Sequence, residues 1–155
     1  IDFEIATTNI FNDVFGYRAT HLGQMGTLSA PDVLLISDSE GYQSIIDTKA
    51  YKRYTLPGKG YDRMVYHYVP EYKSYSTDKD KKLAFFAYIA GAFGDTIDSK
   101  IKNESDACHC SGSCINASNF IHMVENQTSG KKKYTHKELR DIFGVKRQIT
   151  LADID

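Results

Sequence analysis

No stretch of this 155-residue chain approaches the ~20 consecutive apolar residues a helix needs to cross a bilayer, which excludes a helical membrane span. The first fifteen residues carry Asp2, Glu4 and Asp13 without a basic cluster, which argues against a secretory leader. A basic excess is missing too: 19 Lys and Arg face 20 Asp and Glu, for a net charge of -1. Free-standing DNA binders draw much of their affinity from phosphate contacts and are usually basic. Either this chain does not act on nucleic acid, or another domain brings it there. Cysteine is sparse and odd in number, with Cys108, Cys110 and Cys114 clustered within seven residues. That is a poor disulfide framework and suits a reducing compartment. With His109 these could supply four zinc ligands, but adjacent Cys108 and His109 do not readily face one ion. Structural zinc sites also draw on two separated pairs, so a loop of free thiols over Cys108–Cys114 is the favoured reading. Internal repeats and low-complexity segments are absent.

What remains is an ordinary single-domain composition, 41% hydrophobic and 25% charged, with enough chain for a substantial core. The opening on Ile1 instead of Met is expected of a piece of a longer chain. Apolar spacing predicts a helix over Phe3–Phe15, ended by Gly16. A hairpin follows over Pro31–Tyr51, after a loop containing Gly23 and Gly26. Tyr54–Gly60 reads as a connection, and Tyr61–Val69 as a helix that Pro70 stops, with a strand as the alternative. Asp78–Lys82 is a solvated charge cluster. Leu83–Ala90 suits a buried central strand. Ile115–Met123 mixes strand and helix signals, Thr135–Phe143 is a helix with a Thr135/Glu138 capping box, and Leu151–Ile154 starts another. The fold class expected is α/β, a small mixed sheet with flanking helices.

The hairpin carries the chemistry. Val33–Ile36 and Ser44–Ile46 are apolar, and Ser37–Gly41 between them is polar and turn-rich. A symmetric antiparallel register about Ser39 and Glu40 sets Asp32 opposite Asp47. Strand alternation then points Asp47 and Lys49 to one face, with Thr48 facing away and better suited to packing than to chemistry. Two carboxylates so placed repel unless a cation sits between them. A hard ion such as Mg²⁺ takes one or two carboxylates and fills its other positions with water and phosphate oxygens, as phosphodiester hydrolysis requires. A bare Pro-Asp…Asp-x-Lys pattern is common, and an ordinary surface hairpin is its bland alternative.

The surrounding residues narrow the choice. Phe3-Glu4, Phe15-Gly16-Tyr17-Arg18, His21-Leu22-Gly23, Pro31-Asp32, Ile46-Asp47-Thr48-Lys49-Ala50-Tyr51, Leu56-Pro57 and, more weakly, Asp62-x-Met64 and Gly91-x-Phe93 run nearly end to end. Together they resemble the FokI-type cleavage domains of type IIS restriction endonucleases, within the PD-(D/E)xK nuclease superfamily. The resemblance implies a restriction-endonuclease-like core and a bacterial cytoplasmic enzyme. Residues 1–155 would be a DNA cleavage domain without sequence specificity of its own, beside a separate recognition domain. It further implies Mg²⁺, or Mn²⁺ in its place, held by Asp32 and Asp47, with Lys49 positioning the attacking water. Glu4 falls where related nucleases carry an acid near the metal; the alternative is a first-turn carboxylate favoured by the helix dipole. Double-stranded DNA and a transient homodimer are the implied partners, the dimer pairing through Tyr61–Tyr68 with Asp62 and Arg63.

Departures from the family lie in the longer loop between His21 and Pro31, which lacks a basic pair before Pro-Asp, and in a hairpin turn two residues shorter. DNA contacts therefore fall to Arg18, His21, Lys52, Arg53 and Lys59, each of which has simple solvation as its alternative. A repair or junction-resolving nuclease of the same core and a catalytically silent dimerisation module are the competing functions.

Overall fold

A computed structural model describes residues 2–23 and 30–155; the expected loop around Gly26 lies outside them. Helix α1 (Asp2–Asp13) leads into β1 (Arg18–His21), β2 (Val33–Ser37) and β3 (Tyr42–Thr48). A crossover follows, built from α2 (Gly58–Arg63), a π-helical turn (Met64–Tyr68) and a 3₁₀ turn (Tyr72–Tyr75). It leads to β4 (Lys82–Ala90), α3 (Ile97–Cys108), β5 (Ser111–Asn116), α4 (Ala117–Ser129), α5 (His136–Phe143) and α6 (Leu151–Ile154). The five strands form one sheet in the order β1-β2-β3-β4-β5. The first three are antiparallel, and β3, β4 and β5 are parallel.

Helices cover both faces, so β3 and most of β4 are buried throughout. One face packs Val33, Leu35, Ile46, Phe85 and Ile89 against Phe11 of α1, Phe120 of α4 and Phe143 of α5. The other packs Leu34, Ile45, Phe86 and Tyr88 against Met64 and Tyr68 of the crossover and Ile97 and Ile101 of α3. Asp47 follows Ile45 by two residues and faces this second layer.

His136 ties α5 to the hairpin turn. Its ring stacks on Tyr17 at 4.0 Å and 6°. Its Nε2–H donates to the Phe15 carbonyl at 2.6 Å, which leaves Nδ1 to accept from the Ser37 hydroxyl at 2.6 Å.

Four expectations change. The presumed connection Tyr54–Gly60 already contains the start of α2, because Pro57 (φ -66°) presets the backbone that opens it. Cys108–Cys114 is not a loop. His109, in the left-handed conformation (φ 54°), ends α3, and the chain turns directly into β5. The Ser-Gly-Ser composition there reflects packing: a Cβ on Gly112 would lie 2.0 Å from the Phe86 ring. The ambiguous Ile115–Met123 is both elements joined at Asn116, whose side chain accepts from the Asn119 N–H at 2.8 Å as the N-cap of α4. Helix α3 and the edge strand β1 were not anticipated.

Candidate active site

The β2–β3 register pairs Val33 with Ile46 and Ser37 with Tyr42, the symmetric arrangement about Ser39 and Glu40. One step beyond the last pair, Asp32 meets the end of β3. Its Oδ2 accepts the Thr48 backbone N–H and the Thr48 hydroxyl, both at 2.8 Å. Thr48 is thus more than packing: its hydroxyl anchors one of the two candidate metal ligands. Lys49 Nζ lies 2.8 Å from Asp47 Oδ2, and Asp47 is 4% exposed. The Lys49 ammonium also sits 5.4 Å from the centre of the Tyr54 ring, and Tyr51 stacks on Tyr54 from outside.

Glu4 comes in from α1. His21 Nε2 lies 3.1 Å from Glu4 Oε1, and the Glu4 and Asp32 carboxyls share a hydrogen bond. The approach needs Gly23, where a Cβ would fall 2.6 Å from the same Glu4 oxygen. Glu4, Asp32, Asp47 and Lys49 therefore form a chain of contacts along the end of the hairpin.

The electrostatics follow from this crowding. Burial, then the nearby Asp32, push the Asp47 carboxyl up to about 7 against the pull of Lys49. Burial also raises Asp32, partly offset by its hydrogen bonds from Thr48 and reinforced by Glu4. Glu4 is raised by burial but more than compensated by His21 and by its bond to Asp32, so its net shift is downward. A buried acid and a half-buried one that resist ionising together are a donor set suited to a cation. Among the described residues no group of three or more His, Cys, Asp and Glu side chains could enclose an ion by itself. Asp32 and Asp47 instead fit the Mg²⁺ pattern of one or two carboxylates, with water and substrate completing the shell. The thiols of Cys108, Cys110 and Cys114 are free, and burial raises all three, so the cluster gives no support to zinc.

The family model described as "FokI, cleavage domain" matches residues 1–150. The chain belongs to the FokI cleavage-domain family. Membership marks it as a nuclease cleavage domain, and the family implies dependence on a divalent metal. The structure of restriction endonuclease FokI bound to DNA is similar, with a TM-score of 0.78 at 25% identity over 96% of this chain. A second structure of restriction endonuclease FokI also gives 0.78, at 23% identity over 95% of this chain. The cleavage domain spans only 27% and 28% of those two chains. The small subunit of the heterodimeric restriction endonuclease R.BspD6I shares the fold, with a TM-score of 0.61 at 15% identity, covering 91% of this chain and 76% of that one. No match appears among curated protein sequences.

Within the cleavage domain the expected DNA-contact residues separate. His21 belongs to the site through Glu4. Arg18 lies at the opposite end of the ladder, paired with Ile36, and is bound to Asp38 at 2.7 and 2.9 Å. Arg53 is exposed and paired with Asp95 at 3.0 Å, while Lys52 and Lys59 are exposed on the segment that leaves the site. Sequence reasoning missed Tyr54, whose ring backs Lys49, and a second buried acid. Glu104 of α3 is 0% exposed and receives the Tyr88 hydroxyl at 2.9 Å. No helix of the described residues is long and apolar enough to cross a membrane.

Proposed function

We propose that this domain hydrolyses phosphodiester bonds of double-stranded DNA without sequence preference of its own, as the cleavage module of a type IIS restriction enzyme in the bacterial cytoplasm. The observation that carries the reading is the convergence of Asp32, Asp47 and Lys49 at one end of a hairpin. Asp32 and Asp47 would hold Mg²⁺, with Mn²⁺ as its substitute. When bound, the ion lowers the pKa of a coordinated water and offsets charge on the phosphate oxygens.

The chain's own residues do the rest. Thr48 fixes one oxygen of Asp32 through its N–H and hydroxyl, holding the carboxyl at the end of the hairpin. Lys49, held between Asp47 and the Tyr54 ring, places a positive charge where the attacking water and the pentacoordinate phosphate need it. His21 and Glu4 close the side of the site toward α1.

Net charge supports a tether. A domain at -1 binds DNA weakly alone, and a linked recognition domain would raise its effective concentration at the target. Pairing of two domains would let both strands be cut. The exposed Asp62 and Tyr66, on α2 and the π-helical turn, are the surface proposed for it. The test is cleavage of linear duplex in Mg²⁺ with sequencing of the cut ends. Cuts scattered over unrelated sequences, at a rate rising faster than linearly with protein concentration, are expected. Cutting confined to branched junctions would replace the reading with a junction-resolving one.

A further inference from the structure

A carboxylate without access to water sits behind the catalytic residues. Glu104 has one hydrogen-bond partner among the described residues, the Tyr88 hydroxyl, 2.9 Å from both of its oxygens. Tyr88 is 1% exposed and is the β4 partner of Asp47 in the parallel register. The fields acting on Glu104 are those of Asp47 and Lys49 on β3 and just after it. Glu104 in turn acts on Tyr54 beyond β3, Tyr61 of α2, Cys108 at the end of α3 and Cys114 of β5. The sole cation in that set, Lys49, is already paired with Asp47 at 2.8 Å. As packing, this arrangement is unfavourable: one neutral donor is not enough to keep the buried acid ionised, and an apolar pair of similar size would avoid the cost of burying it. Its location beside Asp47 gives the acid another use.

We infer that Glu104, held by Tyr88, is a positioning residue for the metal-binding acids, its negative charge behind Asp47 strengthening the grip of Asp32 and Asp47 on a divalent cation. The inference rests on the cleavage-site reading above. Burial pushes the Glu104 carboxyl up to about 8, so in the metal-free domain at neutral pH it keeps its proton. It loses that proton as pH rises or as a dication enters nearby. Its contribution to ion affinity therefore grows with pH.

Calorimetric titration of the 155-residue chain with MgCl₂, at about pH 6 and about pH 9, tests this in wild type, Glu104→Gln, Tyr88→Phe and Asp47→Asn. Glu104→Gln keeps an acceptor for Tyr88 and removes only the charge. It is expected to bind Mg²⁺ about tenfold more weakly than wild type at the higher pH and equally at the lower one. Equal affinity at both values overturns the inference, and so does an equal loss at both, which marks a packing role. Should Glu104→Gln lose its circular-dichroism signature, Tyr88→Phe carries the same comparison, since an acid without its donor is harder to ionise. Asp47→Asn separates the two readings. If it leaves wild-type affinity unchanged, the site assignment itself fails; if it abolishes binding while Glu104→Gln matches wild type, only this inference does.

Discussion

Thr48 spends both of its donors on Asp32: backbone N–H and hydroxyl reach the same carboxylate oxygen at 2.8 Å. Asp32 lies just past the last β2–β3 pair, so the ladder does not hold its side chain, and Thr48 does. Thr48→Val removes one charge-assisted hydrogen bond, worth about 1.5–3 kcal/mol. Cleavage by Thr48→Val should fall about tenfold or more at saturating Mg²⁺, with Thr48→Ser restoring most of it. Single-turnover rates on a duplex check this, and a Thr48→Val rate equal to wild type would remove Thr48 from the site.

Asp47 makes the metal-free domain pH-sensitive. Its folded value, about 7, lies above the ordinary 3.8, so the folded state binds the extra proton. Stability is therefore greatest at or below the unfolded value, falls as pH rises through the interval, and levels off above about 7. The span amounts to on the order of 4 kcal/mol as a ceiling. Glu104, raised to about 8, extends the fall in the same direction. Thermal melts in EDTA should show Tm declining from about pH 5 to about pH 8.5. Mg²⁺ should recover more of it at the alkaline end, by mass action. A Tm that rises across this window would contradict the assigned burial.

Asp47→Asn trades function for stability. It removes a buried acid crowded by Asp32 while keeping the shape of the side chain. The metal-free variant should melt a few degrees higher than wild type at about pH 8, and its melt should lose Asp47's share of the pH dependence while keeping that of Glu104. A lower Tm at that pH would mean that the Lys49 ion pair outweighs the burial cost.

His136 tests the scaffold apart from the chemistry. Its ring bonds the Phe15 carbonyl and the Ser37 hydroxyl and stacks on Tyr17. His136→Ala leaves the Phe15 carbonyl without its partner and takes from the Ser37 hydroxyl its ring acceptor, though Ser37 keeps the Glu40 N–H, at a cost of about 1–3 kcal/mol. Denaturant midpoints measure that loss, and residual cleavage by the folded fraction should be close to normal.

The hairpin was legible because every local signal agreed: apolar runs either side of a polar, Gly-closed turn admit one register that buries both strands. That register alone brought Asp32, Asp47 and Lys49 together. The grip of Thr48 on Asp32 was not legible, because alternation describes residues within a ladder and Asp32 sits beyond its end. Helix α3 escaped notice because its buried face reads Ile97, Ile101, Glu104, Ser105, half of it polar. Strand β5 hid behind small residues that Phe86 requires. Strand β1, Arg18–His21, lies at the sheet edge without a buried residue, so it has no apolar pattern to read.

The most direct measurement is conversion of supercoiled plasmid in Mg²⁺ by the wild-type chain and by Asp47→Asn, with EDTA as the control. Nicked and linear products from wild type, abolished by EDTA and reduced at least about a thousandfold by Asp47→Asn, are the predicted result. Undiminished cutting by Asp47→Asn would place the chemistry elsewhere in the domain.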